Sequence, residues 1–389
     1  MKIANRMENL SPSVTMAITA LARELKAQGK DILSFSAGEP DFDTPQVIKD
    51  AAIKAIQDGQ TKYTSVEGTV ATKKAVIGKL KRDHGLDYAL DEVIVSNGAK
   101  HSLFNLFQSL IEEGDEVIIP APYWVTYPDQ VKFSDGIPVF INTDDSTNFK
   151  ITPEQLQAVI TPKTKILLLN TPSNPTGGVY TKEELLALAE VLKGTDIVVL
   201  SDEMYEKIMY DGKKFTSVAS ISDDMFQRTV TINGISKAVA MTGWRYGYLA
   251  TPNKELIKTV IKFQGQVTSN VNSITLQAAV TALNGSADAD IEMMRKEFEK
   301  RRDIALTAFN AIKGLSCVAP DGAFYLFVNI KKLGIDSMKF AADLLEEQEV
   351  AIIPGLAFGA EGYIRFSFAT DEKAIIEGIE RIKNFVEKN

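Results

Sequence analysis

Lys237 stands in a stretch of small, apolar and hydroxyl-bearing residues, VTINGISKAVAMTGWRYGYLA. A lysine in apolar surroundings has a lowered pKa, because burial disfavours its charged form, and it then becomes a usable amine nucleophile. Arg245 follows in the same stretch, beside Trp244. An exposed lysine with its stem along the surface is the usual interpretation of any single lysine, so this stretch alone leaves both interpretations open.

Asp202 directly follows the apolar run DIVVLS, so its carboxylate is predicted to lie where little water reaches it. A buried carboxylate is costly unless a cation pairs with it. A cationic atom of a cofactor would satisfy it, with Tyr205 close enough to reach the same site. The alternative is that Asp202 caps the next helical segment, a common role for aspartate.

Two further clusters also follow apolar runs. In VIVSNGAKHSLFNLF, Gly98 leads into an amphipathic segment, and a glycine turn before a helix exposes backbone N–H groups that suit a phosphate. In LLLNTPSNPTGGVY, the amide of Asn174 could point at an anionic ring oxygen. An ordinary strand-to-helix turn and a structural Asx turn remain the respective alternatives.

One ligand accounts for all four clusters together. It needs an aldehyde for the lysine, a protonatable ring nitrogen for the aspartate, a ring oxygen and a phosphate. Pyridoxal phosphate has these four groups, and the fold must then bring the four clusters together.

The elements that carry these clusters alternate between strands and helices. Short β-branched runs predict strands at Glu92–Ser96, Glu116–Ile119, Lys165–Leu169, Ile197–Ser201, Thr229–Ile232 and Tyr246–Ala250. Between two of them, TKEELLALAEVLK begins with the capping box Thr181 and Glu184. Such alternation predicts an α/β fold with a mainly parallel sheet, which presents functional groups at the carboxyl ends of its strands.

The last hundred residues differ, with strand-like FYLFVNI, VAIIPG and YIRFSFAT separated by helical SMKFAADLLEEQ and followed by helical EKAIIEGIERIKNFVEK. They predict a smaller α+β domain onto which the N-terminal segment packs. We expect a large domain at 46–289 and a small domain made of 1–45 and 290–389.

Composition excludes several functional classes. The 389 residues carry a formal net charge of −8 and no basic tract, so neither nucleic acid nor an anionic membrane surface is expected as a partner. One cysteine and two histidines exclude a cysteine cage for zinc and leave little for a metal site. No apolar run approaches the roughly 18 residues of a membrane span, and charges interrupt the N-terminus, so a cytoplasmic location is expected.

Long motifs resemble those of the pyridoxal-phosphate-dependent class I/II aminotransferases of fold type I, and most of all the bacterial aspartate aminotransferases of subgroup Ib. The resemblance implies a mixed, mostly parallel seven-stranded sheet sandwiched by helices, a smaller domain built from both chain ends, and a homodimer with shared active sites. The motifs, which span nearly the whole chain, are SPSVTMAI, SAGEPDFDTP, TKYTSVEG, SNGAKHSLFNLF, PAPYWVTYPD, NTPSNPTGG, SDEMYE, SKAVAMTGWRYGY and YIRFSFAT.

The resemblance also implies roles around the cofactor ring. Lys237 would form the Schiff base, and Asp202 would pair with the pyridine nitrogen. Asn174 and Tyr205 would hold the ring oxygen, and Trp124 would stack on the ring. Lys237, Asp202 and Tyr205 would be the catalytic residues.

The phosphate would bind the backbone around Gly98, Ala99 and Lys100 together with Arg245, and Tyr63 would reach it from the neighbouring subunit. The implied substrate-binding residues are Gly38, Trp124, Asn174, Arg365, Lys100, Thr15 and Ser13. Among these, Arg365 would hold the α-carboxylate in a bidentate fork.

Two positions depart from the family pattern. Some relatives have a phosphate-binding serine three residues before the lysine, where this chain has Gly234. After Tyr63, the expected glycine followed by Pro-Glu-Leu-Arg is replaced by GTVATKK. The first departure leaves open what replaces the serine.

The predicted function is ping-pong transfer of the amino group from L-aspartate to 2-oxoglutarate. FQGQVTSNVNSIT lacks the arginine that many relatives use for the distal carboxylate, so Lys100 with Thr15 and Ser13 is expected to bind it. A different donor range, with aromatic amino acids or with prephenate as acceptor, is the alternative. An aminotransferase-like effector sensor is a remote one, since no basic helix-turn-helix pattern accompanies the motifs.

Overall fold

The computed structural model describes residues 1 and 3–388, except for the side chains of Arg6 and Asn9. Within this part of the chain, the α-helices are α1 (Val14–Ala27), α2 (Gln46–Gln57), α3 (Val70–His84), α4 (Ala99–Leu110), α5 (Thr126–Phe133), α6 (Pro153–Val159), α7 (Lys182–Leu192), α8 (Asp223–Arg228), α9 (Lys254–Val267), α10 (Ser273–Leu283), α11 (Asp288–Asn310), α12 (Ser337–Gln348) and α13 (Glu372–Lys388). The strands are β1 (Leu33–Ser34), β2 (Val93–Ser96), β3 (Glu116–Ala121), β4 (Ile137–Asn142), β5 (Thr164–Asn170), β6 (Val198–Asp202), β7 (Thr229–Gly234), β8 (Gly247–Ala250), β9 (Ser316–Cys317), β10 (Tyr325–Asn329), β11 (Val350–Ala351), β12 (Ile353–Pro354) and β13 (Tyr363–Ser367).

The large sheet has seven strands in the order β2-β8-β7-β6-β5-β3-β4. Neighbouring strands are parallel except that β8 runs antiparallel to both β2 and β7. The predicted mixed, mostly parallel sheet is therefore confirmed. Because β5, β6 and β7 are adjacent and parallel, their carboxyl ends meet at one edge, where Asn170 pairs in register with Asp202.

Helices cover both faces of this sheet, as the continuously apolar strands predict. Along β5, Ile166 and Leu168 pack into the core that includes α4 and the C-terminal region. Leu167 and Leu169 pack on the opposite face, against α7. The capping box of α7 forms as predicted, with the Glu184 backbone N–H donating to Thr181 Oγ1 at 3.2 Å.

The smaller sheet has the order β12-β13-β10-β9, with antiparallel neighbours. Separately, β1 pairs in parallel with β11, which joins the N-terminal region to the C-terminal one. This pairing supports the predicted small domain built from both chain ends. The domain boundaries stay a prediction. The predicted boundary between residues 289 and 290 falls within the first turn of α11, which begins at Asp288.

All six strands predicted in the large sheet are present, with ends within two residues of those expected. The seventh strand, β4, was missing from the local prediction. It contains Pro138, which cannot donate a ladder hydrogen bond and argues against a strand. The structure accommodates the proline because β4 is an edge strand. No helix in the described chain combines the length and the hydrophobicity that crossing a membrane requires.

A buried ion cluster attaches α3 to the segment that follows β6. Lys79 pairs with Glu206, and both side chains are 5% exposed. His84 Nε2 lies 2.5 Å from Glu206 Oε2, and Lys207 Nζ lies 2.8 Å from Asp83 Oδ2. Burial opposes ionisation of Glu206, but Lys79 and His84 outweigh it and hold the pKa of this carboxyl well below its usual range. The cluster thereby fixes the segment that contains Tyr205.

We predict that Glu206→Gln destabilises the protein by about 3 kcal/mol at neutral pH, because the buried Lys79 then keeps only its 3.7 Å contact with Asp83, a carboxylate that Lys207 also pairs. Urea unfolding measures the change. The difference in free energy of unfolding between the native protein and the variant should be fully present above the pKa of glutamate in the unfolded chain. It should disappear as the pH falls through the lower pKa of Glu206 in the folded protein. The exposed Glu380, which pairs with Lys383, provides the control Glu380→Gln. Similar losses for both variants would contradict the prediction.

Candidate active site

A cavity of about 530 Å³ lies at the carboxyl ends of β5, β6 and β7. It is also bordered by α1, by the segment after β1 and by β10 and β13, so elements from distant parts of the sequence form its walls. Its lining residues include most of those predicted from the sequence, namely Thr15, Gly38, Ala99, Lys100, Trp124, Asn174, Asp202, Tyr205, Lys237, Arg245 and Arg365.

Lys237 follows β7 and extends its amine into the cavity. The amine donates a hydrogen bond to the carbonyl oxygen of Gly38, on the segment after β1. Burial lowers the pKa of Lys237 to about 8, with Arg365 and Arg245 adding to the effect. The amine is therefore much closer to its nucleophilic form at neutral pH than an exposed lysine would be.

Asp202 ends β6 and is 4% exposed. Its Oδ2 accepts a hydrogen bond from the hydroxyl of Tyr127 at 2.8 Å, and Oδ1 accepts one from the backbone N–H of Met204 at 3.2 Å. Burial raises the pKa of Asp202 to about 6, against the lowering effects of Tyr127 and Lys237. A cation placed against this carboxylate would favour its ionised form, so the site fits a protonated ring nitrogen.

Tyr205 and Tyr325 form a buried hydroxyl pair beside this carboxylate. Their oxygens are 2.8 Å apart, and each ring meets the other edge to face. Tyr325 also stacks on Arg365, whose guanidinium carbon lies 4.5 Å from the ring centroid. The pair therefore links the expected cofactor side of the cavity to the side that carries Arg365.

Arg365, on β13, is buried and has no carboxylate partner in the described residues. Its Nη1 donates to Asn174 Oδ1 at 2.9 Å and its Nη2 to the Ser36 carbonyl oxygen at 2.7 Å. Its Nε has no hydrogen-bond partner. A buried guanidinium with an unused donor is costly alone, so this position suits an anionic ligand.

The turn into α4 forms a tight cradle beside Arg245. Gly98 has φ 89°, and a Cβ at this residue would lie 2.4 Å from Arg245 Nη2. A Cβ at Gly247 would lie 2.4 Å from the backbone nitrogen of Ala99. The first N–H groups of α4, at Ala99 and Lys100, have no acceptor within the helix. Together with the Arg245 guanidinium, these groups fit a phosphate.

Gly234 is explained by packing. A Cβ at this position would lie 2.7 Å from the carbonyl oxygen of Tyr246 and 3.1 Å from Met204 Cε. The serine that some relatives carry here therefore does not fit this backbone. Ser236, the residue before Lys237, lines the cavity.

Lys100 lies above Trp124, with its Nζ 5.0 Å from the ring centroid. Burial and the charge of Arg245 lower the pKa of Lys100. No ion pair involves Lys100 within the described residues, so its charge is available to a ligand. Thr15 lines the same cavity and contacts Ser13, with the two hydroxyl oxygens 2.9 Å apart.

Three predicted residues do not line the cavity, namely Gly98, which directly precedes Ala99 on the cavity wall, and Ser13 and Tyr63. Ser13 caps α1 and lines a neighbouring cavity that shares Lys100 with the first. Tyr63 is 91% exposed and does not line the cavity of its own chain. The predicted roles of Ser13 and Tyr63, like those of the residues that line the cavity, stay predictions.

The structure adds residues that the sequence interpretation missed. Tyr127 lies in the same motif as Trp124, PAPYWVTYPD, and this proximity could have suggested it. Tyr325 was assigned to a strand of the small domain without any functional role. Further residues on the cavity wall are Thr19, Arg23, Ser36, Glu39, Asn170 and Thr242.

Comparison with known proteins agrees with this geometry. Residues 30–382 match the family described as aminotransferase class I and II. The chain belongs to this family. It is 50% identical to an aspartate aminotransferase of Geobacillus stearothermophilus, over 100% of this chain and 99% of the relative.

Two solved structures have the same fold. The aspartate aminotransferase of Rhizobium meliloti has a TM-score of 0.96 and 43% identity, covering 100% of this chain and 99% of the other. That of Thermus thermophilus with maleate has a TM-score of 0.94 and 40% identity, covering 99% of each chain. Class I and II aminotransferases depend on pyridoxal phosphate. The site described above fits this cofactor, since it offers an amine for the aldehyde, a carboxylate for the ring nitrogen, and backbone N–H groups with a guanidinium for the phosphate.

Proposed function

We propose that this aminotransferase transfers the amino group of L-aspartate to 2-oxoglutarate, with pyridoxal phosphate as its cofactor. The products are oxaloacetate and L-glutamate. The observation that carries the proposal is the placement of Lys237, Asp202 and Arg365 in one cavity. Each is a charged group whose burial is costly without a ligand of complementary charge.

The cofactor would be held by residues at three strand ends. Lys237 would bind its aldehyde carbon, Asp202 would pair with its ring nitrogen, and Asn174 and Tyr205 would contact its ring oxygen. Trp124 would cover one face of the ring. Pyridoxal phosphate supplies an electron sink for the bond broken at the substrate α-carbon.

The chain itself supplies the proton transfers. Lys237 Nζ removes the α-proton of the amino acid and later delivers a proton, which requires an amine whose pKa is moderate. The lowered pKa of Lys237 meets this requirement. The carboxylate of Asp202 would keep the ring nitrogen protonated, and Tyr127 holds that carboxylate in place.

The substrate would be held at two carboxylates. Arg365 binds the α-carboxylate beside Gly38, and Tyr325 keeps the guanidinium plane oriented by stacking. Lys100 with Thr15 then takes the distal carboxylate. The Thermus relative whose structure contains maleate, a dicarboxylate, supports a site with two anion positions.

We also propose a homodimer with shared active sites. Tyr63 lies exposed in a loop that its own chain does not bury. In a dimer it would reach the phosphate bound by the Gly98 turn and Arg245 of the partner. The exposed apolar side chains of α2, at Val47, Ile53 and Ile56, could be buried in the interface between the two subunits.

The first prediction tests the cofactor assignment. Lys237→Ala should remain folded but lose the visible absorbance of covalently bound pyridoxal phosphate and nearly all transamination. Absorbance spectra and a coupled assay with aspartate and 2-oxoglutarate measure both effects. The exposed Lys258 provides the control Lys258→Ala, which should resemble the native protein. Substantial turnover by the Lys237 variant would refute the assignment.

The second prediction tests donor recognition. Lys100→Ala should cost about 2 kcal/mol of transition-state binding for aspartate, the scale of one charged hydrogen bond. The loss for alanine or phenylalanine should be far smaller, because these donors have no distal carboxylate. Values of kcat/KM for each donor measure the difference, and Lys100→Met controls for the packing on Trp124. Equal losses for all donors would mean that Lys100 serves the phosphate or the fold.

The third prediction tests the shared site. Tyr63→Phe should weaken pyridoxal phosphate binding about tenfold, the value of one hydrogen bond to a charged group. Mixed dimers of Tyr63→Phe and Lys237→Ala chains should regain native cofactor affinity at the site that has Lys237 and receives the partner subunit's Tyr63. Dissociation constants of the mixed and parent dimers test this. Unrestored affinity in mixed dimers would place Tyr63 in its own subunit's site.

A further inference from the structure

The segment after β1, residues 36–44, forms part of the cavity wall and is hydrogen-bonded to the segment that follows β7. Thr44 donates its hydroxyl hydrogen to the carbonyl oxygen of Ala240 at 2.8 Å. Thr242 donates to Glu39 Oε2, also at 2.8 Å. The Thr242 side chain thus holds Glu39 at the cavity wall. The hydrogen bond of Thr44 is a second attachment of the same segment.

Thr242 belongs to the turn that carries the expected phosphate ligand. Its carbonyl oxygen accepts a hydrogen bond from Arg245 Nη1 at 2.8 Å. The Thr242 side chain and backbone therefore connect two charges of opposite sign, the Glu39 carboxylate and the Arg245 guanidinium. The position of Glu39 depends on the same turn that positions Arg245.

Glu39 also neighbours the amine of the reaction. The adjacent residue, Gly38, accepts the hydrogen bond of Lys237. Among the charged groups facing this amine, Glu39 exerts the largest effect, and it attracts a proton to the nitrogen. The charged groups that face Lys237 are Glu39, Arg365, Arg245 and Asp202.

We propose that Glu39 is a positioning residue whose carboxylate, held at the cavity wall by the Thr242 hydroxyl, favours a proton on the Lys237 nitrogen. This inference rests on the proposed cofactor chemistry. Burial and the guanidinium groups of Arg365 and Arg245 disfavour that proton. Asp202 would already be paired with the ring nitrogen of the cofactor. Glu39 is then the carboxylate left to oppose them.

The experiment titrates the visible absorbance of the holoenzyme with pH, which reports the proton on the nitrogen that joins Lys237 to the cofactor. A carboxylate near a cation raises its pKa, so Glu39→Gln should lower the midpoint. Since Glu39 is exposed at the cavity mouth, we expect a fall of about half a pH unit. Thr242→Val should lower the midpoint less, because the released carboxylate moves toward water, and Thr242→Ser should restore it.

The control Glu24→Gln removes an equal charge from the exposed face of α1 and should titrate as the native protein does. Native midpoints for Glu39→Gln or for Thr242→Val would overturn the inference, as would a shift of similar size in Glu24→Gln. If the native protein acquires no titrating visible absorbance with pyridoxal phosphate, or if Lys237→Ala retains it, the proposed cofactor role fails instead.

Discussion

The arrangement of this protein depends on keeping charged side chains in a cavity with little water. Asp202 and Arg365 are almost completely buried, and neither has an oppositely charged side chain in direct contact among the described residues. Desolvating such groups costs several kcal/mol each. Neutral donors and acceptors, such as Tyr127 on Asp202 and Asn174 on Arg365, reduce this cost without removing the charge. The remaining cost is what a ligand of complementary charge can relieve on binding.

This constraint requires support from distant parts of the chain. Arg365 is placed by β13 in the smaller sheet, yet its hydrogen-bond partners lie after β1 and after β5. Lys237 and its acceptor Gly38 are likewise separated by most of the large sheet. The cavity therefore exists only when the two chain ends pack against the central sheet. The short parallel pair of β1 and β11 contributes to the cavity in this way, because it joins the N-terminal region to the C-terminal one.

The sequence predicts those parts of the site that depend on local pattern. Lys237, Asp202 and Gly98 each follow an apolar run, and strand ends of a parallel sheet converge, so their meeting could be inferred. The two tyrosines were missed because their roles depend on tertiary contacts. Tyr127 matters through Asp202, in another element, and Tyr325 matters through Tyr205 and Arg365. No local pattern records such pairings.

The fold shows the same division. Capping and periodicity predicted α7, α12 and α13, since these signals lie within the helix itself. Strand β4 was missed because a proline contradicts the pattern, and only the sheet order shows that an edge strand tolerates it. The requirement for Gly234 also depends on position in the sheet, because the obstructing carbonyl oxygen belongs to Tyr246, just before the neighbouring β8.

The charge of the cavity runs opposite to that of the whole chain. The protein carries a formal net charge of −8, but five cationic side chains and two carboxylates line the cavity. A phosphate ester carries nearly two negative charges at neutral pH, and a dicarboxylic amino acid or oxo acid adds two more. With the one positive charge of a protonated ring nitrogen added to the excess of three, a phosphate and a dicarboxylic oxo acid would leave the site close to neutral. An oxo acid with a single carboxylate would leave about one positive charge unmatched. Low-dielectric walls strengthen this field inside the cavity. The charge balance of the whole site therefore favours a dicarboxylate, and Lys100 is the proposed local contact.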